Sequence, residues 1–178
     1  MTLNANNIAV ITGGPGSGKT TLCEKLSQEG IAIGNESGRA ILQRPDGHDL
    51  RKRDPLSYAL EILKLDIEKF RTANSSTETW LFDRGFPDNA GFLDLMGLAK
   101  PKELDQACRD YRYAGSVFVA PPWREIYRGD PVRIQDWHEA KATHVAVSAA
   151  WQEYGYDLVE LPRASIEERA LFVKKRLA

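Results

Sequence analysis

Gly13 to Thr20 have the residue types and spacing of a phosphate-binding loop. They read Gly-Gly-Pro-Gly-Ser-Gly-Lys-Thr and match the pattern G-x-x-x-x-G-K-[ST] in full. Glycines let a backbone wrap closely around a phosphate, and the helix that follows contributes the positive end of its dipole. The motif follows a strand-like run at Ile8–Thr12 and precedes a helical pattern, which is the context that such a loop requires. We therefore expect this segment to bind the phosphates of a nucleotide.

The motif also predicts how individual residues act. Lys19 is expected to bridge the β- and γ-phosphates and so to act in catalysis, and the Thr20 hydroxyl is expected to be a ligand of Mg²⁺. ATP and Mg²⁺ are therefore the expected cofactors. A glycine-rich turn without any ligand is the alternative. The predicted cofactor-binding residues are Gly13, Gly14, Pro15, Gly16, Ser17, Gly18, Lys19, Thr20 and Thr21.

An acidic partner for this loop is expected at the end of a neighbouring strand. Trp80-Leu81-Phe82-Asp83 is an apolar run that ends in a carboxylate. We predict that Asp83 is catalytic and holds Mg²⁺ through water, and that Arg84 contacts an acceptor or the transferred phosphate. The alternative is a strand-end Asp that only makes a turn.

Glu36 directly follows another strand-like run, and in open α/β sheets ligands bind at the carboxyl ends of the strands. We predict that Glu36 binds the acceptor and is catalytic, because a carboxylate placed there accepts the proton of an attacking hydroxyl. A neighbour of a helix N-cap, or a surface charge, is the alternative for Glu36. Asp88 is a further candidate for substrate binding, although it also sits well to cap the helix that follows it.

The segment 121–135 is rich in arginine and is predicted to be a lid. Arg124, Arg128 and Arg133 follow the fourth predicted strand. Phosphoryl transfer spreads negative charge over the moving group, so arginines on a closing segment would stabilise that charge and exclude water. Arg124 and Arg128 are therefore predicted to be catalytic. The alternative is a solvated loop in which acidic neighbours pair with the arginines.

Short β-rich runs alternate with helical patterns, which is typical of a parallel sheet with crossover helices. The prediction is an α/β fold with three layers, in which helices cover both faces of a five-stranded parallel sheet; the strand order stays open. The charged stretch Arg44–Asp54 is expected to be a solvated loop. Strands are predicted at Ile8–Thr12, Ile31–Asn35, Thr79–Asp83, Ser116–Ala120 and Asp157–Leu161, and helices at Lys19–Glu29, Pro55–Ala73, Asp88–Leu98, Lys102–Arg112, across Trp137 to Tyr154, and after Ser165.

Composition predicts one domain over residues 1–178. Hydrophobic residues make up 42% of the 178-residue chain and charged residues 28%, which are values of a globular protein. The net charge of −1 gives no reason to expect a nucleic-acid partner. Two cysteines, Cys23 and Cys108, are too few for a disulfide framework and are expected in the core. No run has the length and apolarity of a signal peptide or a membrane span, so the expected location is the cytoplasm.

Five sequence blocks occur in the order ITGGPGSGKTTL, NESGRAI, LFDRGFPD, APPWREIY and GYDLVELPRAS. With them, the chain resembles, over nearly its whole length, a family of small P-loop ATPases related to the kinase domain of NadR-type proteins. The resemblance implies a P-loop NTPase fold like that of nucleoside and nucleotide kinases, without the extra helical domain of a full AAA+ ATPase. It also implies that Asp83 is the Walker B carboxylate and that Glu36, Arg39 and Arg84 serve the acceptor site.

These features together predict a Mg²⁺-dependent kinase that transfers the γ-phosphate of ATP to a nucleoside-like or other small hydroxyl acceptor. The alternative is a nucleotide-dependent switch or binding module with slow ATP or GTP hydrolysis. The chain has no [NT]KxD motif for guanine recognition, which disfavours a conventional GTPase. A purely structural role is the third possibility.

Overall fold

The computed structural model describes residues 3–113, 116–127 and 136–177. Within these ranges the strands are β1 (Leu3–Ala5), β2 (Ile8–Gly13), β3 (Ala32–Gly34), β4 (Trp80–Asp83), β5 (Tyr111–Tyr113), β6 (Val117–Ala120) and β7 (Leu158–Glu160). The helices in the same ranges are α1 (Lys19–Gln28), α2 (Ser37–Leu42), α3 (Gly47–Arg53), α4 (Pro55–Asn74), α5 (Phe86–Leu95), α6 (Lys102–Asp110), α7 (Trp137–Glu153) and α8 (Ile166–Leu177).

The predicted five-stranded parallel sheet is confirmed. Its strand order is β3-β4-β2-β6-β7, and all neighbouring strands run parallel. The central strand β2 pairs Ile11 with Asp83 of β4 and Gly13 with Ala120 of β6. The carboxyl ends of these three strands therefore meet at one edge of the sheet, where the chain of β2 runs on into the glycine-rich loop.

Helices cover both faces of this sheet, because side chains along a strand point alternately to opposite sides. Ile8 and Val10 of β2 face one core, to which α4, α5, α6 and α7 contribute. Ala9 and Ile11 face the opposite core, which they share with α1 and α8. The predicted three-layer arrangement is thereby confirmed.

Two local predictions are wrong. The stretch expected as a solvated loop, Arg44–Asp54, contains the helix α3, which packs with α2 against α4. The sequence of α3 shows no helical periodicity of apolar residues, because Leu50 is the only large apolar side chain in this short helix. The helix predicted to reach Arg112 ends at Asp110 instead, because the next three residues form β5, which pairs in parallel with β1 in a separate two-stranded sheet. That pairing joins residues more than one hundred positions apart, so local periodicity does not reveal it.

Both cysteines are buried in the core as predicted, and neither forms a disulfide. Burial raises the pKa of each thiol well above its ordinary value, so both are uncharged near neutral pH. Within the described part of the chain, no helix is both long and apolar enough to cross a membrane.

The ring of Phe70 lies at the centre of the larger core, with its centroid 5.2 Å from Tyr111 and 5.5 Å from Tyr113. Its side chain is fully buried. We expect Phe70→Ala to lower the free energy of unfolding by about 3–5 kcal/mol, because it removes an aromatic side chain and leaves a cavity. Urea unfolding followed by circular dichroism measures this. The control is Phe172→Ala, because Phe172 is a half-buried residue of α8. An equal loss of unfolding free energy in both variants would contradict the central position of Phe70.

Candidate active site

The glycine-rich loop has the backbone shape that its sequence predicts. Gly16 and Gly18 adopt φ values of 70° and 76°, in the left-handed region that favours glycine. The Nζ of Lys19 folds back over the loop, where it donates hydrogen bonds to the carbonyl of Gly14 at 2.7 Å and to the hydroxyl of Ser17 at 3.3 Å. A cation thus lies in the concave side of the loop.

Helix α1 begins directly after this loop in a form suited to an anion. Gly18 precedes its first residue, no side chain caps its first turn, and that turn contains no acidic residue. The N–H groups of a helix's first turn lack partners within the helix, and the helix dipole adds positive potential there. The loop and α1 therefore fit the phosphate chain of a nucleotide.

Aromatic side chains cover the loop from the proposed lid. An added Cβ on Gly16 would lie 2.6 Å from the ring of Tyr127, so that ring lies directly against the loop. Tyr127 packs edge-to-face on Trp137 at 5.3 Å, and the guanidinium of Arg124 lies 5.3 Å from the centre of the Trp137 ring. This arrangement holds a positive charge near the loop. Arg128 and the remainder of the proposed lid, residues 128–135, lie outside the described residues.

The donors beside the loop match the chemistry of Mg²⁺, which favours oxygen ligands. Asp83 is buried at the end of β4, next to β2 in the sheet, while Thr20 is exposed in the first turn of α1. Within the described residues, no three His, Cys, Asp or Glu side chains form a cluster that would hold a metal alone. Mg²⁺ is commonly held by one or two carboxylates together with substrate phosphates, and Asp83 and Thr20 are the residues here that could take part.

Two predicted acceptor residues form largely buried ion pairs with Arg84. The Nε of Arg84 donates to Oε1 of Glu36 at 2.9 Å, and its Nη1 donates to Oδ1 of Asp88 at 2.8 Å. Burial alone would lower the pKa of the Arg84 guanidinium, but the carboxylates of Glu36, Asp88 and Asp83 outweigh burial and raise it. Arg84 therefore stays charged and holds Glu36 at a defined position.

Arg84 reaches these partners from an unusual backbone conformation. Its φ of 72° is the only positive value among the non-glycine residues that the structure describes. Such a conformation is costly for a long side chain and persists where the surroundings over-determine it. The Arg84 amide donates to the carbonyl of Ile11 at 2.9 Å, which ties this turn to β2.

Asp88 is surrounded by donors from several elements. Its carboxylate accepts from the hydroxyl of Thr12, from Arg84, from the amide of Gly85 at 3.0 Å and from Nε1 of Trp151 at 2.9 Å. The side chain is only 4% exposed. Both oxygens are thus occupied by groups of the chain itself, and Thr12 makes a direct link from the strand of the phosphate-binding loop.

A cavity of about 460 Å³ opens beside the Glu36–Arg84 pair. Tyr58 and Phe92 form an aromatic wall, with their rings edge-to-face at 5.5 Å. Helix α3 forms the rim, where Arg51 pairs with Glu139 of α7 at 3.5 Å. Arg39 is half-buried on α2 and is not among the described residues that line the cavity.

Several lining residues escaped the sequence analysis. Tyr58 and Phe92 lie in helices that were predicted, but neither was singled out, since an aromatic residue at helical spacing is also typical of a core. Asn89 and Thr143 carry no sequence signal beyond their place in a helix. The residues of α3 at the rim of the cavity were not predicted, because their polar sequence is typical of a solvated loop.

A second cavity, of about 670 Å³, adjoins the phosphate-binding loop. It is bounded by Gly18 and Thr21, by Trp123 and Ile126 after β6, and by the start of α8. Arg169 of α8 is buried beneath it and donates to the carbonyl of Ser17 at 3.2 Å. The second cavity thus adjoins the loop directly, whereas the first is connected to it through Asp88, which lines that cavity and accepts from Thr12 on β2.

The chain matches a known protein family over most of its length. The model of a protein family described as an AAA domain matches residues 8–169 of the chain. No curated protein matches the sequence.

Two kinases and NadR are among the solved structures with the same fold. The deoxyadenosine kinase of M. mycoides, solved with the products dCMP and dCDP, superposes with a TM-score of 0.72 at 12% identity, covering 96% of this chain and 98% of that one. Thymidylate kinase of Ehrlichia chaffeensis gives 0.64 at 15% identity, covering 98% and 100%. NadR in complex with NR gives 0.69 at 16% identity, covering 97% of this chain and 52% of that one. The fold is therefore that of small P-loop kinases, as the resemblance in the sequence implied.

Replacement of Trp151 by Phe tests the donors that surround Asp88. Trp151→Phe keeps most of the packing but removes one donor from a buried carboxylate, so we expect a loss of about 1–3 kcal/mol in the free energy of unfolding. Trp80→Phe is the matched control, because the Nε1 of Trp80 is buried without a hydrogen-bond partner among the described residues. Urea unfolding measures both variants. Equal stability losses would contradict a specific role for the Trp151–Asp88 bond.

Proposed function

We propose that this chain, which belongs to the AAA-domain family, is a small-molecule kinase. It would transfer the γ-phosphate of ATP to a hydroxyl of a nucleoside-like acceptor. The observation that carries this proposal is the cavity that the Glu36–Arg84 ion pair and the aromatic residues Tyr58 and Phe92 line together. Besides its nucleotide, an ATP hydrolase needs room only for the attacking water molecule. The volume of this cavity, 460 Å³, is instead within the range of pockets that bind small molecules.

The ATP side of the proposed site is formed by the loop and α1. Gly13 to Thr21 would surround the phosphates, and Lys19 would leave its contact with Gly14 to bind the β- and γ-phosphates. Thr20 and Asp83 would hold Mg²⁺, which neutralises charge on the phosphates when bound. The second cavity supports a place for the nucleotide base, because it adjoins Gly18 and Thr21 where the loop passes into α1.

The acceptor side supports proton removal by Glu36. Its carboxylate lines the cavity and is oriented by the Nε of Arg84. In the proposed step, Glu36 accepts the proton of the acceptor hydroxyl while that oxygen bonds to the γ-phosphorus, and the bond from that phosphorus to the oxygen of ADP breaks. Asp88 is a positioning residue in this scheme, because its oxygens are occupied by Thr12, Arg84 and other groups of the chain.

The nature of the cavity walls supports a nucleoside-like acceptor. Flat rings pack well against aromatic side chains, and Tyr58 and Phe92 offer such a surface. Arg124, held against Trp137, supplies positive charge on the lid side, where the moving phosphoryl group needs it. Kinases with this fold include a deoxyadenosine kinase and a thymidylate kinase, which is consistent with an acceptor of this class.

Lys19→Ala tests the ATP side of the proposal. We expect ATP affinity to fall by at least about tenfold, because a charge-assisted contact to the phosphates is lost. Isothermal titration with Mg²⁺ and a non-hydrolysable ATP analogue measures this. Lys25→Ala is the control, because Lys25 lies on the same helix and pairs with Glu29 on the surface. Equal affinity in Lys19→Ala and the wild type would exclude phosphate binding by this loop.

Glu36→Gln tests phosphoryl transfer. Wild-type protein, ATP and Mg²⁺ are incubated with a panel of nucleosides and sugars, and the products are identified by mass spectrometry. We expect a phosphorylated acceptor, a fall in kcat of at least about a hundredfold in Glu36→Gln, and ATP affinity within a factor of about three of the wild type, because only proton removal is lost. Glu61→Gln, on the surface of α4, should match the wild type.

Failure of this proposal has a clear form. ADP formation without any phosphorylated acceptor, at a rate that no member of the panel changes, would favour a nucleotide-dependent switch instead. A melting curve of Glu36→Gln shows whether loss of the Arg84 pair has unfolded the variant, in which case Glu36→Asp, which keeps the carboxylate, provides the kinetic comparison.

A further inference from the structure

We propose that Asn89 is a specificity-determining residue whose Oδ1 accepts a hydrogen bond from an N–H or O–H group on the ring of the acceptor. This inference rests on the proposed function and narrows its substrate class. It assigns to the cavity an acceptor with a hydrogen-bond donor on its ring, and it predicts rejection of the same molecule without that donor.

The orientation of the Asn89 side chain follows from its neighbours. Its Nδ2 donates to the carbonyl oxygen of Ala59 on α4 at 2.8 Å. A carbonyl oxygen can only accept, so the amino group must face α4 and Oδ1 must point the other way. The side chain therefore presents an acceptor atom, and cannot exchange it for a donor without losing the bond to Ala59.

That acceptor atom is buried without a partner. Asn89 is 4% exposed, and its Oδ1 has no hydrogen-bond partner among the described residues. A buried oxygen in this state is destabilising, and most such atoms in folded proteins have a partner. Because Asn89 lines the 460 Å³ cavity, a molecule bound there can supply the missing donor.

The position of Asn89 in the cavity places this contact on the ring of an acceptor. Asn89 follows Asp88 in the first turns of α5, and the aromatic residues Tyr58 and Phe92 line the same cavity. Thr143 of α7 also lines it, and its hydroxyl likewise is buried without a partner among the described residues. The cavity is thus lined by Glu36, by an aromatic pair, and by two residues that each have a buried polar atom without a partner among the described residues.

The hydrogen-bonding chemistry defines the ligand class. Oδ1 accepts but does not donate, so it stabilises a ring with an amino or ring N–H group and leaves a bare ring nitrogen facing another acceptor. A site that is built to bind a donor discriminates strongly against an analogue that lacks it, because its own polar atom then stays unpaired. Nucleobases with an amino or ring N–H group meet this requirement.

The test compares matched ligands that differ in one donor. Binding of each nucleoside is measured by isothermal titration in the presence of Mg²⁺ and a non-hydrolysable ATP analogue. The pairs are adenosine and purine riboside, cytidine and its 4-deamino analogue, and guanosine and inosine, each of which differs by one amino group. In the wild type, the pair that contains the tightest ligand should differ by at least about tenfold in Kd.

Asn89→Leu removes the acceptor atom while keeping a side chain of similar size. We expect the ratio of the two Kd values in that pair to fall to about two or less, because neither ligand now has a partner at this position. Ser148→Ala is the control, since Ser148 on α7 also has a buried hydroxyl without a partner among the described residues but is not one of the described residues that line the cavity. It should keep the wild-type ratio. If melting shows that Asn89→Leu does not fold, Asn89→Ala makes the same comparison.

The ratio separates recognition from a merely structural role. If Asn89 only supports α4 through Ala59, both ligands of the pair lose affinity equally and the ratio is unchanged, which overturns the inference. Phosphorylated product with an unchanged ratio means that the kinase proposal stands and this inference fails. If the ratio falls in Asn89→Leu but no phosphorylated product forms, this inference stands and the kinase proposal fails. No binding by any nucleoside of the panel overturns the inference as well.

Discussion

The hydrogen bonding of the buried Asp88 carboxylate is the interaction on which the rest of the site depends. A carboxylate removed from water is strongly destabilising unless donors and an opposite charge surround it. Here those groups come from β2 through Thr12, from the end of β4 through Arg84 and Gly85, and from α7 through Trp151. Asp88 is stable only when these three parts of the fold are in place together. The position of Arg84, and through it that of Glu36, therefore depends on the assembled fold.

This constraint couples the two sides of the proposed site. Thr12 lies on the strand that continues into the phosphate-binding loop, and Arg84 follows the strand that ends in Asp83. The same hydrogen-bonded group thus sets the distance between the loop and the cavity proposed for the acceptor. Phosphoryl transfer depends mainly on positioning and on electrostatic stabilisation, so a rigid spacing between donor and acceptor sites is of direct chemical value. The positive φ of Arg84 is the local conformational strain that accompanies this arrangement.

Local sequence patterns were sufficient for much of the fold. Alternating strand-like and helical segments predicted the five-stranded parallel sheet and the two helical layers, because hydrophobic periodicity reflects the faces that each element buries. The separate pairing of β1 with β5 and the polar helix α3 were not predicted. The first depends on contacts between distant parts of the chain, and the second has too few apolar residues for its period to be visible. The catalytic role of Arg128 stays a prediction, because this residue lies outside the described residues.

The sequence by itself determined the chemistry of the phosphate-binding loop, since glycines, a lysine and a threonine at fixed spacing act within one short segment. It also marked Glu36, Arg84 and Asp88 as candidates. Only the tertiary structure decided that these three form one largely buried ion-pair network, and that Asn89 and the aromatic pair Tyr58 and Phe92 line the cavity beside it. The physical reason is that the cavity is formed by side chains from several helices and loops, and the spacing along the chain carries no information on which of them meet.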